Sequence, residues 1–184
     1  MARYAACCAR GYSPRTRAAT LNTVPILVFA RAPVPGACKT RLIPGYGALG
    51  AARLYRDLVH RSMDIACAAD CGPVSLWTTP SCGHPFFKRL REQYAVSLVR
   101  QPRGDLGRRM AVALDRALLA GSPAALLIGT DAANLNAQDI RDAAQKLLAG
   151  ADAVLQPADD GGYVLIGARR LIGNALRAVH WCSG

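Results

Sequence analysis

Short apolar runs alternate along the chain with segments in which apolar residues recur at helical spacing. The runs at residues 24–30, 74–78, 96–99 and 124–130 have the length and β-branched content of buried strands. Residues that favour turns, mainly glycine and proline, separate several of them from the next segment. We therefore predict four strands of a largely parallel sheet, joined by helices.

Four segments carry the helical pattern. The first predicted helix follows Gly45 and Gly47, and the second covers residues 85–94. The third begins near Asp105. The fourth begins at Asn136, with which Asp139, three positions later, forms a capping pair. The apolar stripe of the first helix is predicted to comprise Tyr55, Leu58, Val59, Ser62, Met63 and Ala66. The stripe of the last comprises Ile140, Ala143, Ala144, Leu147 and Leu148.

Two further strands are predicted at residues 154–156 and 163–166, with only residues 157–162 between them. A parallel crossover needs about a dozen residues or more, so one of these strands must run antiparallel. The pattern predicts an α/β protein with three layers, α/β/α. Its sheet is mixed, mostly parallel and Rossmann-like, with one antiparallel strand.

The size and composition indicate a single domain. The chain has 184 residues, of which 52% are hydrophobic, and no apolar run approaches the roughly 20 residues that a membrane span needs. Residues 1–22 are basic and lack acidic residues, so we expect a disordered leader there and the domain at 23–184. The odd count of seven cysteines favours a reduced, cytoplasmic setting.

The formal charge of +11 is compatible with an anionic partner. Residues 32–41, directly after the first predicted strand, offer a place for one. Pro35 and Gly36 form a loop whose backbone can approach a ligand closely, and Lys39 and Arg41 supply charges suited to phosphate oxygens. The alternative is a solvated loop with two surface cations.

Asp131 follows Gly129 and Thr130 at the end of an apolar strand, where ligands bind in open α/β sheets. A carboxylate there is a hard oxygen ligand that suits Mg²⁺ or Mn²⁺, with substrate phosphates completing the shell. The alternative is an aspartate that caps the next turn.

Two more segments have candidate chemistry. Asp160 is a possible proton acceptor beside Asp159, and Gly161, Gly162 and Tyr163 would admit a sugar or base closely, although a tight hairpin also explains the glycines. Residues 101–110 place three arginines, Arg108 among them, near a helix start that attracts anions. Solvated arginines are the alternative.

Together these segments resemble a bacterial glycosyltransferase-A-like family of the nucleotide-diphospho-sugar transferase superfamily, sometimes labelled arsenosugar-biosynthesis glycosyltransferase. The resemblance spans residues 24–181 and rests on FARAPVPG with KTRL, QPRGDLGRRM, GTD and DGGYVLIG. It implies a fold that binds a nucleotide and a divalent metal at the carboxyl edge of its sheet. By position, Lys39 and Arg41 would hold phosphates, Asp131 the metal, and residues 160–163 would face the sugar or acceptor.

The expected function is metal-dependent glycosyl transfer from a nucleotide sugar. Nucleotidyl transfer between a nucleoside triphosphate and a phosphorylated small molecule, or nucleotide binding without turnover, stays open. The sequence departs from the family pattern at Ala132, Ala133 and Asn134, and it stops at Gly184 before a late Asp-containing motif. We therefore expect a C-terminal truncation. A nucleic-acid partner is not expected.

Overall fold

The computed structural model describes residues 23–131, 134–158 and 162–171. The predicted leader, Asp160 and Gly161 lie outside these residues. The strands are β1 (Ile26–Arg31), β2 (Val74–Thr79), β3 (Ser97–Arg100), β4 (Ala125–Ile128), β5 (Ala153–Pro157) and β6 (Tyr163–Ala168). The helices are α1 (Ile43–Ala69), α2 (Pro85–Tyr94), α3 (Leu106–Leu119) and α4 (Ala137–Leu148), and a short 3-10 helix (Thr40–Leu42) precedes α1.

The strands form one six-stranded sheet in the order β3-β2-β1-β4-β6-β5. β1 pairs in parallel with β2 and β4, and β2 pairs in parallel with β3. β6 runs antiparallel to both β4 and β5. The prediction of a mostly parallel sheet with one antiparallel strand is confirmed, because the link between β5 and β6 is too short to cross over.

Successive residues of β1 face opposite layers, as the alternation of a strand requires. Ile26 and Val28 belong to a buried cluster with α1, α2 and α4, whereas Leu27 and Phe29 belong to a second cluster with Met110 and Leu114 of α3. The sheet is therefore covered on both faces, and the three-layer architecture is confirmed. Because β1 is central and nearly fully buried, its carboxyl end is a fixed point from which the following loop departs.

Most helix boundaries follow the predicted signals. α2 covers exactly the predicted 85–94, and the pair Asn136 and Asp139 forms a full capping box at the start of α4. A short helical stretch begins at Ile43, ahead of the prediction, but Gly47 is non-helical, with φ of 67° and ψ of 165°, so the long regular part of α1 follows Gly47 as predicted. Leu148 was also assigned wrongly to the buried stripe of α4, since it is 42% exposed.

No helix in the described part of the chain combines the length and the apolarity that crossing a membrane requires.

Candidate functional site

The predicted loops meet at one edge of the sheet. The register places Val28 of β1 beside Ile128 of β4, and Ile128 beside Leu165 of β6. The loops after β1 and β4 therefore leave the sheet beside Gly162 and Tyr163, where β6 begins. This edge holds the carboxyl ends of the parallel strands, which is where α/β folds bind their ligands.

Lys39 and Asp131 form an ion pair across this edge. Lys39 Nζ lies 3.0 Å from Asp131 Oδ1, and the side chains are 24% and 67% exposed. Lys39 adopts a left-handed backbone conformation, with φ of 49°, directly before the 3-10 helix. A non-glycine residue seldom takes this conformation. Lys39 takes it at the point from which its side chain reaches Asp131, beyond the end of β4. The sequence predicted both residues for the site but not their contact.

A buried tyrosine of α1 joins the ends of β1 and β4. The Tyr55 hydroxyl accepts a hydrogen bond from the Arg31 backbone N–H at 2.9 Å and shares another with Thr130 Oγ1 at 3.0 Å. Burial raises the pKa of Tyr55, so the phenol stays neutral. Since Thr130 directly precedes Asp131, this bridge sets where the carboxylate leaves the sheet. Sequence analysis had placed Tyr55 only in the apolar stripe of α1.

Gln101 forms a second bridge, on the α3 side of β1. This side chain is 8% exposed, and its Nε2 donates to the backbone oxygens of Trp77 at 2.9 Å and Ala30 at 3.4 Å. Its Oε1 accepts a hydrogen bond of 3.0 Å from Arg109 Nη1. All of the amide's donor and acceptor groups are thus directed to the ends of β1 and β2 and to α3.

The arginine that this bridge fixes is Arg109 and not its neighbour. Arg108, the predicted phosphate ligand, has an exposed side chain, and its backbone N–H donates to the Asp105 carboxylate at 2.7 Å, which caps α3. Arg109 is half-buried. Its pKa is lowered, first by burial and then by the charge of Arg31, while Asp105 acts in the opposite direction. Helical spacing alone could not show which arginine faces the sheet edge.

Cys38 lies between the cations of the β1 loop. Its thiol is buried and donates to the Val34 backbone oxygen at 3.4 Å. Burial raises its pKa, although Arg31, Arg56 and Lys39 all act to lower it. The thiol is therefore held in its neutral form, which makes Cys38 a packing residue of the loop rather than a nucleophile.

The other predicted site residues lie on or near the same edge. Gly129 N–H donates to the Val164 backbone oxygen at 3.3 Å, which joins β4 to β6. The Gly162 backbone oxygen accepts from Ala158 N at 2.8 Å and closes the hairpin, and Tyr163 is 40% exposed. Exposed positions in the β1 loop and the 3-10 helix are occupied by Pro35, Gly36 and Arg41. Asp160 and Gly161 lie outside the described residues.

The donor set at this edge can support a divalent cation only with help from a substrate. Asp131 offers an accessible carboxylate, yet the described residues contain no group of three His, Cys, Asp or Glu side chains that could enclose an ion. Mg²⁺ and Mn²⁺ are commonly held by one or two carboxylates together with water and phosphate oxygens. Asp131 therefore fits such an ion as a partial ligand set.

A family of bacterial proteins, described as "Uncharacterized protein conserved in bacteria (DUF2064)", matches residues 62–183. The chain belongs to this family. The matched part includes Gln101, Arg109 and Asp131, whereas the β1 loop precedes it. No match was found among curated proteins.

The solved structures extend the likeness to nearly the whole chain. A "putative nucleotide-diphospho-sugar transferase" from Desulfovibrio desulfuricans G20 is 28% identical with a TM-score of 0.76, over 86% of this chain and 69% of that one. A cytidylyltransferase from Leptospira borgpetersenii is 16% identical with a TM-score of 0.53, over 87% and 66%. These structures confirm the nucleotide-diphospho-sugar transferase fold.

A third structure, a 4-diphosphocytidyl-2C-methyl-D-erythritol synthase from Anaerococcus prevotii DSM 20548, shares this fold at 10% identity. Its TM-score is 0.53, over 88% of this chain and 79% of that one. Enzymes named for different transfers therefore share the architecture, and the fold alone does not distinguish between them.

Proposed function

We propose that the protein transfers a sugar from a nucleotide-activated donor to an acceptor hydroxyl, with Mg²⁺ or Mn²⁺ held in part by Asp131. The observation that carries this proposal is the Lys39–Asp131 pair, which joins a cation and a hard carboxylate ligand at the carboxyl edge of the sheet. The 28% identity to the Desulfovibrio protein over most of the chain supports the same reaction class.

A diphosphate leaving group requires the site to stabilise negative charge. When the bond between the sugar and the diphosphate breaks, negative charge grows on the departing oxygen, and preorganised positive charge lowers the barrier. Lys39 supplies a flexible ammonium for this purpose. A bound divalent cation would neutralise the remaining charge of the diphosphate. Most of the catalysis would then come from positioning and charge compensation.

Lys39 has a defined role before substrate arrives. Its ammonium neutralises Asp131, so the carboxylate does not stand alone at the edge of an apolar sheet. A diphosphate offers the ammonium a doubly charged partner, and the transfer of Lys39 from Asp131 to the phosphates would release the carboxylate for the cation. Asp160 is the candidate base for the acceptor hydroxyl, on the sequence argument alone.

A thermal-shift panel tests this proposal directly. UDP-, GDP- and ADP-linked sugars are each added with Mn²⁺, with Mg²⁺ or with chelator. We expect one class of donor to raise the melting temperature more with metal than without it, because binding to the native state stabilises it. Asp131→Asn should remove the metal-dependent part of the shift, and Asp142→Asn, an exposed carboxylate on α4, serves as the control. An identical metal response in Asp131→Asn and wild type would contradict the proposal.

Nucleotidyl transfer is the second candidate, because the fold is shared with cytidylyltransferases. The two reactions release different products. Glycosyl transfer releases a nucleoside diphosphate from a nucleotide sugar, whereas nucleotidyl transfer releases pyrophosphate from a nucleoside triphosphate. Incubation with each donor class and chromatographic identification of the released phosphate compound therefore separates them.

A further inference from the structure

Two guanidinium groups are held near the carboxyl end of β1 by neutral acceptors only. Arg31 Nη1 donates to the Ala37 backbone oxygen at 3.4 Å. Arg109 donates to Gln101 Oε1 at 3.0 Å and, through Nε, to the Asp105 backbone oxygen at 3.4 Å. In the described part of the chain neither arginine forms an ion pair, so both charges are uncompensated.

The nearest acid does not remove this excess of positive charge. The Asp105 carboxylate accepts the hydrogen bond that caps α3, and its influence on Arg109 is weaker than the opposing influence of Arg31. The charge of Arg31 acts against that of Arg109, and the half-buried position of Arg109 makes this repulsion more costly in free energy. Gln101 holds Arg109 in place from the core side by accepting its hydrogen bond. A guanidinium has five N–H groups, so each arginine has further donors for a ligand.

The net charge of the Lys39–Asp131 pair differs from that of the two arginines. There the ammonium already has a carboxylate 3.0 Å away, so the pair is neutral as a unit. An approaching dianion is therefore attracted more strongly to the two arginines than to Lys39. Planar guanidinium groups also match the oxygens of a phosphate better than an ammonium does.

We propose that Arg31 and Arg109 together bind a phosphate group of a substrate, and that Gln101 is the positioning residue that aims Arg109 at it. The site is distinct in its residues from the Lys39–Asp131 pair. This inference rests on the proposed function for the identity of the substrate, and it adds that a phosphate is bound on the α3 side of β1. That phosphate belongs either to the nucleotide donor or to a phosphorylated acceptor.

Titration calorimetry with inorganic phosphate and with pyrophosphate, without metal, tests the site independently of catalysis. We expect Arg31→Gln and Arg109→Gln each to weaken binding about tenfold, since each loses charge-assisted hydrogen bonds. Arg91→Gln, an exposed change in α2 that lowers the net charge equally, is the control and should have no effect.

A structural role for Arg109 is separated from a binding role by the stability of the unliganded protein. If Arg109 only supported the fold, Arg109→Gln would lower the melting temperature in phosphate-free buffer. We expect no decrease for Arg31→Gln, because a repulsive charge is removed. Gln101→Glu should weaken phosphate binding without touching the ligand, since it places a negative charge against Arg109. Phosphate affinities that are unchanged in both arginine variants, or reduced equally by Arg91→Gln, would overturn the proposal.

The same variants identify the source of the phosphate. A nucleotide-sugar affinity that falls in parallel with phosphate affinity assigns the site to the donor. A nucleotide-sugar affinity that stays constant while phosphate affinity falls assigns it to the acceptor. Binding of inorganic phosphate at Arg31 and Arg109 with no response to any nucleotide would refute the proposed function and leave this inference standing.

Discussion

The two faces of the sheet hold the carboxyl end of β1 by similar means but with different charge balance. On the α1 face, the Tyr55 hydroxyl bridges Arg31 N–H and Thr130, next to a neutral lysine–aspartate pair. On the α3 face, the Gln101 amide bridges two strand ends and Arg109, whose charge is uncompensated. Both bridges hold strand ends in place, whereas on the α3 face Arg31 and Arg109 lie without an ion pair among the described residues.

This difference gives the site a direction. In the proposed function, a ligand with a phosphate at one end would be drawn to the α3 face by the two arginines, and the α1 face would offer a carboxylate that exchanges its lysine for a cation. A site with evenly distributed cations would attract the same ligand without orienting it. Removal of either bridge tests whether it holds the strand ends, and a change of charge on one face at a time tests the difference in charge balance.

Removal of the Gln101 bridge should have the largest effect on stability. Gln101→Leu deletes three hydrogen bonds, one of them to a charged group, and leaves Arg109 without its fixed partner. We expect a loss of about 2–3 kcal/mol in the free energy of unfolding. Urea titration measures it, with Gln145→Leu at an exposed position of α4 as the control. A loss no greater than that of the control would show that the amide does not hold the strand ends.

Removal of the Tyr55 bridge should lower the free energy of unfolding somewhat less than removal of the Gln101 bridge. Tyr55→Phe leaves the Arg31 N–H without its acceptor and the Thr130 hydroxyl without its hydrogen-bond partner, for an expected loss of about 1–2 kcal/mol. The exposed Tyr46→Phe is the matched control. Hydrogen exchange gives a more specific reading, because the Arg31 amide should exchange faster in Tyr55→Phe. An Arg31 amide that stays fully protected would contradict the bridge.

The sequence predicted the positions of the strands and helices better than the hydrogen bonds of Tyr55 and Gln101. Apolar runs and capping signals located the strands and helices, since burial and backbone satisfaction act locally. α2 matches its prediction because Pro85 marks the first turn and buried Phe87 and Leu90 lie on one face. β4 is shorter than predicted, because the ladder ends at Ile128 and Gly129 and Thr130 leave it toward the site.

The bridges depend on contacts between residues far apart in sequence. Tyr55 meets Thr130 only because β1 and β4 are adjacent and in register, and a stripe residue at helical spacing gives no sign of a hydrogen-bonding role. The choice of Arg109 over Arg108 depends on the rotation of α3 about its axis. The sequence predicted Lys39 and Asp131 for this edge because each follows a strand and has a side chain suited to phosphate or metal, and in the structure the two side chains form an ion pair.

A change of pH places a new charge on the α1 face only. His84 caps α2 by accepting a hydrogen bond from Phe86 N through Nδ1 at 3.3 Å, which requires the neutral ring. Burial lowers its pKa, and Arg56 and Arg89 lower it further. The folded pKa thus lies below the unfolded value, so the cap contributes fully above about pH 6.5 and is lost as the pH falls through the folded pKa.

The matching variant is His84→Asn, whose side chain caps a helix without titrating in this range. We expect wild type to lose about 1 kcal/mol relative to His84→Asn as the pH falls below the folded pKa, because the other titrating groups are common to both proteins. Unfolding curves across this range measure the difference. Inorganic phosphate bound at Arg31 and Arg109 should leave it unchanged, whereas phosphate bound beside Arg56 would raise the folded pKa of His84 toward its unfolded value and so reduce the loss.

The smallest effect on stability is expected from the Lys39–Asp131 pair, although it lies at the centre of the proposed site. An exposed ion pair contributes about 0–1 kcal/mol and is screened by salt, so Lys39→Met should lower the free energy of unfolding by less than about 1 kcal/mol.

The same substitution should change the affinity for a metal ion more strongly, and should increase it. Without the ammonium, Asp131 is available to a cation, so Mn²⁺ should bind the nucleotide-free Lys39→Met protein more tightly than wild type. Asp131→Asn should abolish this gain when the two changes are combined. Titration of Mn²⁺ followed by paramagnetic resonance gives both affinities, and Lys88→Met in α2 controls for the loss of one positive charge. An equal gain in Lys88→Met would mean that net charge, and not the release of Asp131, governs metal binding on this face.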